Sequence, residues 1–194
     1  MRIVKDKIMY QATTRDYKVG DVIEFGKTRN FQAERVYNKT FKMYNGESAG
    51  MFLLNKVKEK KRLTLKEMKE LSTLCFDYDY VLRELGIENC RKKINENLPS
   101  RLSGMFLCDN FEDAKCYIST AKGKGKGIPK VVSVKLNGRL HKSSNNYNKR
   151  DGNSIDGYTK KAKQYWKGVG SDYKDPSCEY LFEGIATIVD VFEM

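Results

Sequence analysis

Histidine is almost missing from this sequence, and its cysteines form no pattern. Among 194 residues there is one histidine, His141, and there are five cysteines: Cys75, Cys90, Cys108, Cys116 and Cys178. No two of them make a C-x-x-C pair and their number is odd. A disulfide framework is therefore not expected, and a reducing, cytoplasmic setting is. Cys108 and Cys178 fall in strand-like runs, where a reduced thiol behaves as a small apolar group. A tetrahedral zinc site would have to gather its ligands from widely scattered thiols, so no metal is expected. A Ser–His or Cys–His catalytic pair would have to use His141, which reads as part of a polar loop with no partner suggested nearby. No apolar run reaches the roughly 18 residues of a membrane span, and the opening residues 1–7 (MRIVKDK) lack the apolar core of a signal peptide. The Gly-rich run 122–127 (KGKGKG) does not fit G-x-x-x-x-G-K-[ST], which disfavours a P-loop enzyme. There is no internal repeat.

What the chain does have is charge. Its net charge is +12, with 40% apolar and 32% charged residues. That composition describes a globular chain with a heavily charged surface and enough length for one substantial core. A positive field of this size draws in nucleic acid, nucleotide phosphates or an acidic protein surface, and it carries no information about fold. The run 122–127 has two readings, a flexible solvated loop or a phosphate contact.

Periodicity divides the chain as follows. Residues 8–13 and 22–26 read as short strands, with a turn at Gly20-Asp21. Residues 27–44 read as an irregular loop. Asn45-Gly46 turns into a helix over 47–58, where Met51, Leu54 and Val57 recur at three-residue spacing. Thr64-Leu65-Lys66-Glu67 is a capping box that starts a helix over 65–74. A second helix over 78–95 carries Val81, Leu82, Leu85 and Cys90 as its apolar stripe, with Arg83, Glu84, Arg91, Lys92 and Lys93 outside, and Leu98-Pro99 ends it. Residues 102–108 read as a buried strand. Asp109 or Asn110 then caps a helix over 111–120. Residues 130–136 read as a strand turned by Asn137-Gly138, and 145–153 as polar loop. Ser154 caps a last helix that ends at Gly168. The final strands, 177–183 and 185–192, read as a hairpin about Gly184. The order predicts an α+β fold with a mixed or antiparallel sheet, as a single domain with a helical insertion at about 46–97.

Glu179 stands at the start of the penultimate strand and has two readings: a solvated strand end or a carboxylate aimed into a cleft. Three strand segments bear on the choice, Tyr10-Gln11-Ala12, residues 104–109 (GMFLCD) and residues 179–182 (EYLF). Together with Ala114 and Tyr117 on the following helix, their order and spacing resemble the ADP-ribosyltransferase superfamily of the diphtheria-toxin and poly(ADP-ribose) polymerase type. There, a first strand carries Tyr/Trp-His-Gly, a second Gly-Ile-Tyr-Phe-Ala-Asp and a late one Glu-Tyr-x-x-Tyr. Residues 10–22 (YQATTRDYKVGDV), the stretch around Pro99-Ser100-Arg101-Leu102 and Tyr165-Trp166-x-Gly168 extend the likeness, to an uncharacterised bacterial branch of that superfamily.

The resemblance implies a split-sheet fold that holds NAD, as substrate, in a cleft between its halves. Glu179 would bind the nicotinamide ribose and steady an oxocarbenium-like transition state. Phe106 stands where the family often has the Tyr that stacks on nicotinamide. Gln11 replaces the family His, and its amide could hold a ribose hydroxyl. Tyr10, Thr13, Tyr117 and Trp166 complete the expected cofactor wall, with Trp166 open to either a core or a cleft-wall reading. Arg15 or Arg101 could meet the pyrophosphate, and Arg101 could equally brace the strand entry. The expected activity is ADP-ribose transfer from NAD to a nucleic-acid or protein acceptor. The alternative is a binding module or effector that kept the fold, lost the chemistry and acts through its basic surface.

Overall fold

The computed structural model describes residues 1–38, 43–44, 47–118, 127–148, 155–170 and 178–194. The expected turn at Asn45-Gly46, residues 122–126 of the Gly-Lys run and the Ser154 cap lie outside them.

Two long strands form the spine. β6 (Lys130–Ser144) and β7 (Cys178–Glu193) pair antiparallel along their whole length, from Lys130 opposite Glu193 to Ser144 opposite Cys178. The hairpins expected at Asn137-Gly138 and Gly184 do not form. Instead Gly138 faces Gly184 across the ladder, with φ of +157° and +136°. A Cβ on Gly138 would lie 2.3 Å from the Glu183 carbonyl oxygen, and one on Gly184 2.4 Å from that of Asn137. These glycines serve a close backbone approach inside two continuous strands, a use that a turn-forming sequence does not distinguish.

β1 (Arg2–Thr13) pairs antiparallel with the outer edge of β6, with a register shift between Val4 and Lys7 around Asp6, whose φ is +52°. On the far edge of β7 lie β2 (Val22–Phe25), opposite Gly184–Thr187, and β5 (Met105–Leu107), opposite Tyr180–Phe182. Every described pairing is antiparallel. Tyr10 and Cys108 then exchange two backbone hydrogen bonds, Tyr10 N to Cys108 O at 3.0 Å and Cys108 N to Tyr10 O at 2.8 Å. This bridge joins β1 to β5, so the sheet rolls on itself at this end. Met9, Met105, Leu107, Val132, Val134, Tyr180 and Phe182 belong to one apolar cluster. β3 (Met43–Tyr44) and β4 (Glu47–Ser48) form a separate two-stranded ribbon.

Leu181 and Phe106, which alternate with that cluster's members along their strands, pack against helices. α3 (Leu65–Asn95) supplies Ile87 and Cys90, and α5 (Ile155–Lys167) supplies Ala162, Tyr165 and Trp166. α3 is one helix of 31 residues, not two. The gap expected over 75–77 is helical. Asp77 is buried and takes an ion pair from Arg35 at 3.2 Å. The capping box forms as expected, with Glu67 N donating to Thr64 Oγ1 at 3.2 Å and Thr64 N to a Glu67 carboxylate oxygen at 2.8 Å. Lys56 and Thr64 together hold the Glu67 carboxyl down at about 2.

The expected loop 27–44 contains α1 (Phe31–Tyr37), capped by Asn30, whose side-chain oxygen accepts from Gln32 N and Ala33 N. Seven residues are too few to show a period. α2 (Ala49–Lys58) starts at Ser48. α4 (Phe111–Cys116) is capped by Asn110, and residues 119–120 of the expected helix lie outside the described ones. The chain is thus an α+β protein with an antiparallel sheet.

Candidate active site

A cavity of about 600 Å³ opens where the rolled end of the sheet meets α1 and α3. The end of β1 gives Gln11, Ala12 and Thr13, continuing to Arg15 and Tyr17. Gly104 to Cys108 form the β5 wall, and Cys178 and Glu179 enter from the start of β7. α1 contributes Phe31, Gln32 and Arg35, α3 contributes Tyr80, Arg83 and Glu84, and Tyr117 and Asn145 complete the rim.

Glu179 is held, not solvated. Its Oε1 accepts hydrogen bonds from Arg101 Nη1 and from the Tyr165 hydroxyl, and its side chain is 11% exposed. Both contacts fall on Oε1, which leaves Oε2 as the oxygen a ligand can use. Tyr165 is fully buried, and burial holds its phenol well above the usual range, so it stays protonated and donates. Arg101 is itself buried, and its Nε donates to Glu84 Oε2 at 2.9 Å while Nη1 donates to Tyr165 at 2.8 Å. Burial opposes the charge on Arg101, but Glu179 and Glu84 outweigh it and keep the guanidinium ionised. Burial likewise pushes the Glu84 carboxyl up, yet Arg101 and Arg83 together bring it below its ordinary value. The guanidinium also lies 5.0 Å from the ring centroids of Phe106 and of Tyr165.

Arg101 lines the cavity as well, with its nitrogens engaged by Glu84, Tyr165 and Glu179. Gln11, Thr13, Arg15, Phe106, Tyr117 and Glu179 line the same cavity. Thr13 Oγ1 accepts from Arg15 N at 3.1 Å, and the Arg15 guanidinium donates to Tyr17. Tyr10 and Trp166 are not among the lining residues. The Tyr10 ring packs edge-on against Phe111, and Trp166 is core, donating from Nε1 to Ile87 O at 2.7 Å. Both alternate or pack away from the opening, which residue type alone does not reveal.

Sequence reasoning missed Glu84, which is 1% exposed and looks like any surface carboxylate on a charged helix. It also missed Asn30, whose Nδ2 donates to Arg101 O and Gly104 O at 2.8 Å each. That clamp fixes α1 against the β5 wall. Gly104 permits the fit, since a Cβ there would lie 2.7 Å from the Ser100 carbonyl oxygen. Glu183, which shares Glu179's side of the alternation, is structural. It accepts from Ser100 N at 3.0 Å, Ser103 Oγ at 2.8 Å and Arg139 at 2.9 Å. Cys108 lines the cavity but is no nucleophile at neutral pH, because burial and nearby carboxylates push its thiol up to about 12.

Among the described residues no group of His, Cys, Asp and Glu could hold a metal ion, and no helix is long and apolar enough to cross a membrane. Fold and site together define a class: an α+β protein whose rolled antiparallel sheet and helices enclose a cavity walled by carboxylates clamped on one buried guanidinium. The family described as "Protein of unknown function (DUF2441)" matches residues 9–194, and the chain belongs to it. No curated protein matches the sequence.

Proposed function

We propose that the cavity binds NAD and transfers its ADP-ribose to a macromolecular acceptor, a nucleic acid or an acidic protein surface. The observation that carries this reading is the meeting of Gln11, Phe106 and Glu179, from three separate strands, on one cavity. The volume suits a ligand of this class, for which about 300–1,000 Å³ is usual. Arg15 and Arg35 supply cationic groups for a pyrophosphate, and the net charge of +12 favours a polyanionic acceptor.

In this reading Arg101 and Tyr165 fix Glu179 through Oε1, and Oε2 meets the nicotinamide ribose. The C1′–N bond breaks with its electron pair leaving on nicotinamide. The acceptor's nucleophilic atom bonds to C1′ and gives its proton to solvent. Glu179 stabilises the positive charge that develops on the ribose, in a site where water screens it weakly. Phe106 offers a face to the nicotinamide ring. Purified protein incubated with NAD should release nicotinamide, and Glu179→Ala should lower that rate at least 100-fold. Equal rates for the two proteins would remove Glu179 from the chemistry.

A second reading is favoured by a different observation. Oε1 of Glu179 is already tied into a buried ion pair, an arrangement that also serves to hold the wall together. The chain would then be a catalytically degenerate ADP-ribosyltransferase-fold module acting on nucleic acid or a partner protein through its basic surface. Calorimetry separates the two: no heat with NAD, with nucleic-acid binding that weakens steeply as salt rises, selects the module.

A further inference from the structure

Phe31 differs from the other rings on the cavity wall. It lines the cavity and is 42% exposed, whereas Tyr17, Phe25, Tyr80, Phe106 and Tyr117 are buried or half-buried. A side chain that borders the cavity and also meets solvent stands at its mouth. The Phe31 ring centroid lies 6.3 Å from that of Phe106. The mouth therefore opens beside the ring that the NAD reading gives to nicotinamide.

The position of Phe31 is well fixed. It opens α1, whose cap Asn30 donates from Nδ2 to Arg101 O and Gly104 O at 2.8 Å each. The ring is thus set against the wall before any partner arrives, and binding does not have to order it. Farther out, the Arg29 guanidinium lies 4.4 Å from the ring centroid of Tyr37, at the other end of α1, and Tyr37 is 49% exposed. Glu34 is the acidic residue of this helix, and it accepts a hydrogen bond from Asn38.

An exposed ring with a guanidinium nearby is the combination that single-stranded nucleic acid uses. A base stacks on the ring, whatever its sequence, and the cation meets the backbone phosphate. A duplex keeps its bases stacked inside and offers the ring nothing. An acidic protein surface would engage Arg29 and leave the phenyl face uncovered. Position points the same way. The acceptor atom must reach C1′, the carbon beside nicotinamide, and Phe31 is the exposed ring next to Phe106.

We propose that the acceptor is single-stranded nucleic acid, with an unpaired base stacked on Phe31 and its backbone near Arg29. The transfer rests on the NAD reading: the acceptor atom bonds to C1′, nicotinamide leaves with the electron pair of the broken bond, and the acceptor's proton passes to solvent. The stacking itself needs no NAD.

Fluorescence anisotropy with labelled oligo(dT), oligo(U) and a duplex of the same length tests this, beside calorimetry with NAD. The wild type should bind at least one of the single strands about 10-fold or more tightly than the duplex. Phe31→Ala should weaken that binding about 5- to 100-fold and leave NAD binding within about threefold. Phe31→Trp should keep the affinity, with its indole emission quenched as the strand binds. Arg29→Gln should flatten the slope of log affinity against log salt by about 0.7–1. Tighter binding of one strand than the other identifies DNA or RNA as the source, and either result upholds the proposal. Equal binding of duplex and single strand overturns it, as does an affinity that Phe31→Ala leaves unchanged. Tighter binding of poly(glutamate) than of either strand overturns it in favour of an acidic protein. A Phe31→Ala loss confined to NAD overturns it by giving the ring to the dinucleotide. If NAD is neither bound nor cleaved while Phe31-dependent strand binding persists, the NAD reading fails and the platform survives. If NAD is turned over and no single strand binds, the platform fails alone.

Discussion

At the scale of single residues, the cavity depends on a buried guanidinium shared between Glu84 and Glu179. Arg101→Met should destabilise the protein by about 3–5 kcal/mol, because two carboxylates are left without their common partner. Urea unfolding at neutral pH measures this, and a loss below about 1 kcal/mol would mean the ion pairs are not closed from water. Lowering the pH gives a second test. The folded Glu84 carboxyl lies below its ordinary value of 4.5. Its stabilisation is therefore present above that value and is lost as the pH falls through the folded one.

His141 gives a cleaner signal in a higher window. It lies within β6, not in the expected loop, is 2% exposed, and burial holds its imidazole at about 4 instead of 6.5. The unfolded chain takes up the proton first, so stability falls as the pH drops from about 6.5 to about 4, by up to about 3 kcal/mol. Since the sequence has no other histidine, one imidazole signal in a proton NMR titration reports it directly. A midpoint near 6.5 would show that the ring is reached by water. Gln11, Phe106 and Glu179 come to one cavity from short strand motifs that the sequence displays. Glu84 was not legible there, since its place on the wall comes from a burial that the local sequence does not announce.

At the scale of elements, the capping signal held but the apolar stripes did not, since Met51, Leu54, Val57 and Leu82 are all exposed, and residue types that serve two ends were misread. Thr64 and Glu67 cap α3 as their spacing dictates. Gly138 and Gly184 look like turn residues and instead bring two long strands into contact. Gly184→Ala should therefore cost about 3 kcal/mol or more, from an unfavourable φ together with a collision with backbone. Gly86 makes the contrast. It lies within α3, and a Cβ there would touch nothing within 4 Å. Gly86→Ala should stabilise the protein by about 0.5–1 kcal/mol. Thermal unfolding of the two variants side by side checks the pair, and shifts of the same sign would contradict the close-approach account. The two-helix reading of α3 also failed: residues 75–77 continue the helix, and Asp77 among them is buried against Arg35 of α1.

At the scale of the whole molecule, Leu181 ties the two halves of the core. It is fully buried on β7 and packs with Ile87 of α3 and with Tyr165 and Trp166 of α5. Leu181→Ala should cost about 2–5 kcal/mol. It should also loosen Tyr165, one of the two groups that hold Glu179, so ligand binding should weaken more than at a core site remote from the cavity. Calorimetry on Leu181→Ala beside Ile188→Ala, which lies in the other cluster, makes that comparison. The global arrangement was only partly legible, since antiparallel pairing over some fifteen residues and the meeting of Tyr10 with Cys108 are long-range choices. That meeting also bears on how copies of the chain treat one another. Where β1 joins β5 the ladder has no free rim, and where β1 pairs with β6 alone its outer edge is kinked at Asp6 and flanked by Lys5 and Lys7. A bent, positively charged border is a poor template for strand addition by another molecule, so crowded conditions should not turn this sheet into a seed for fibrils.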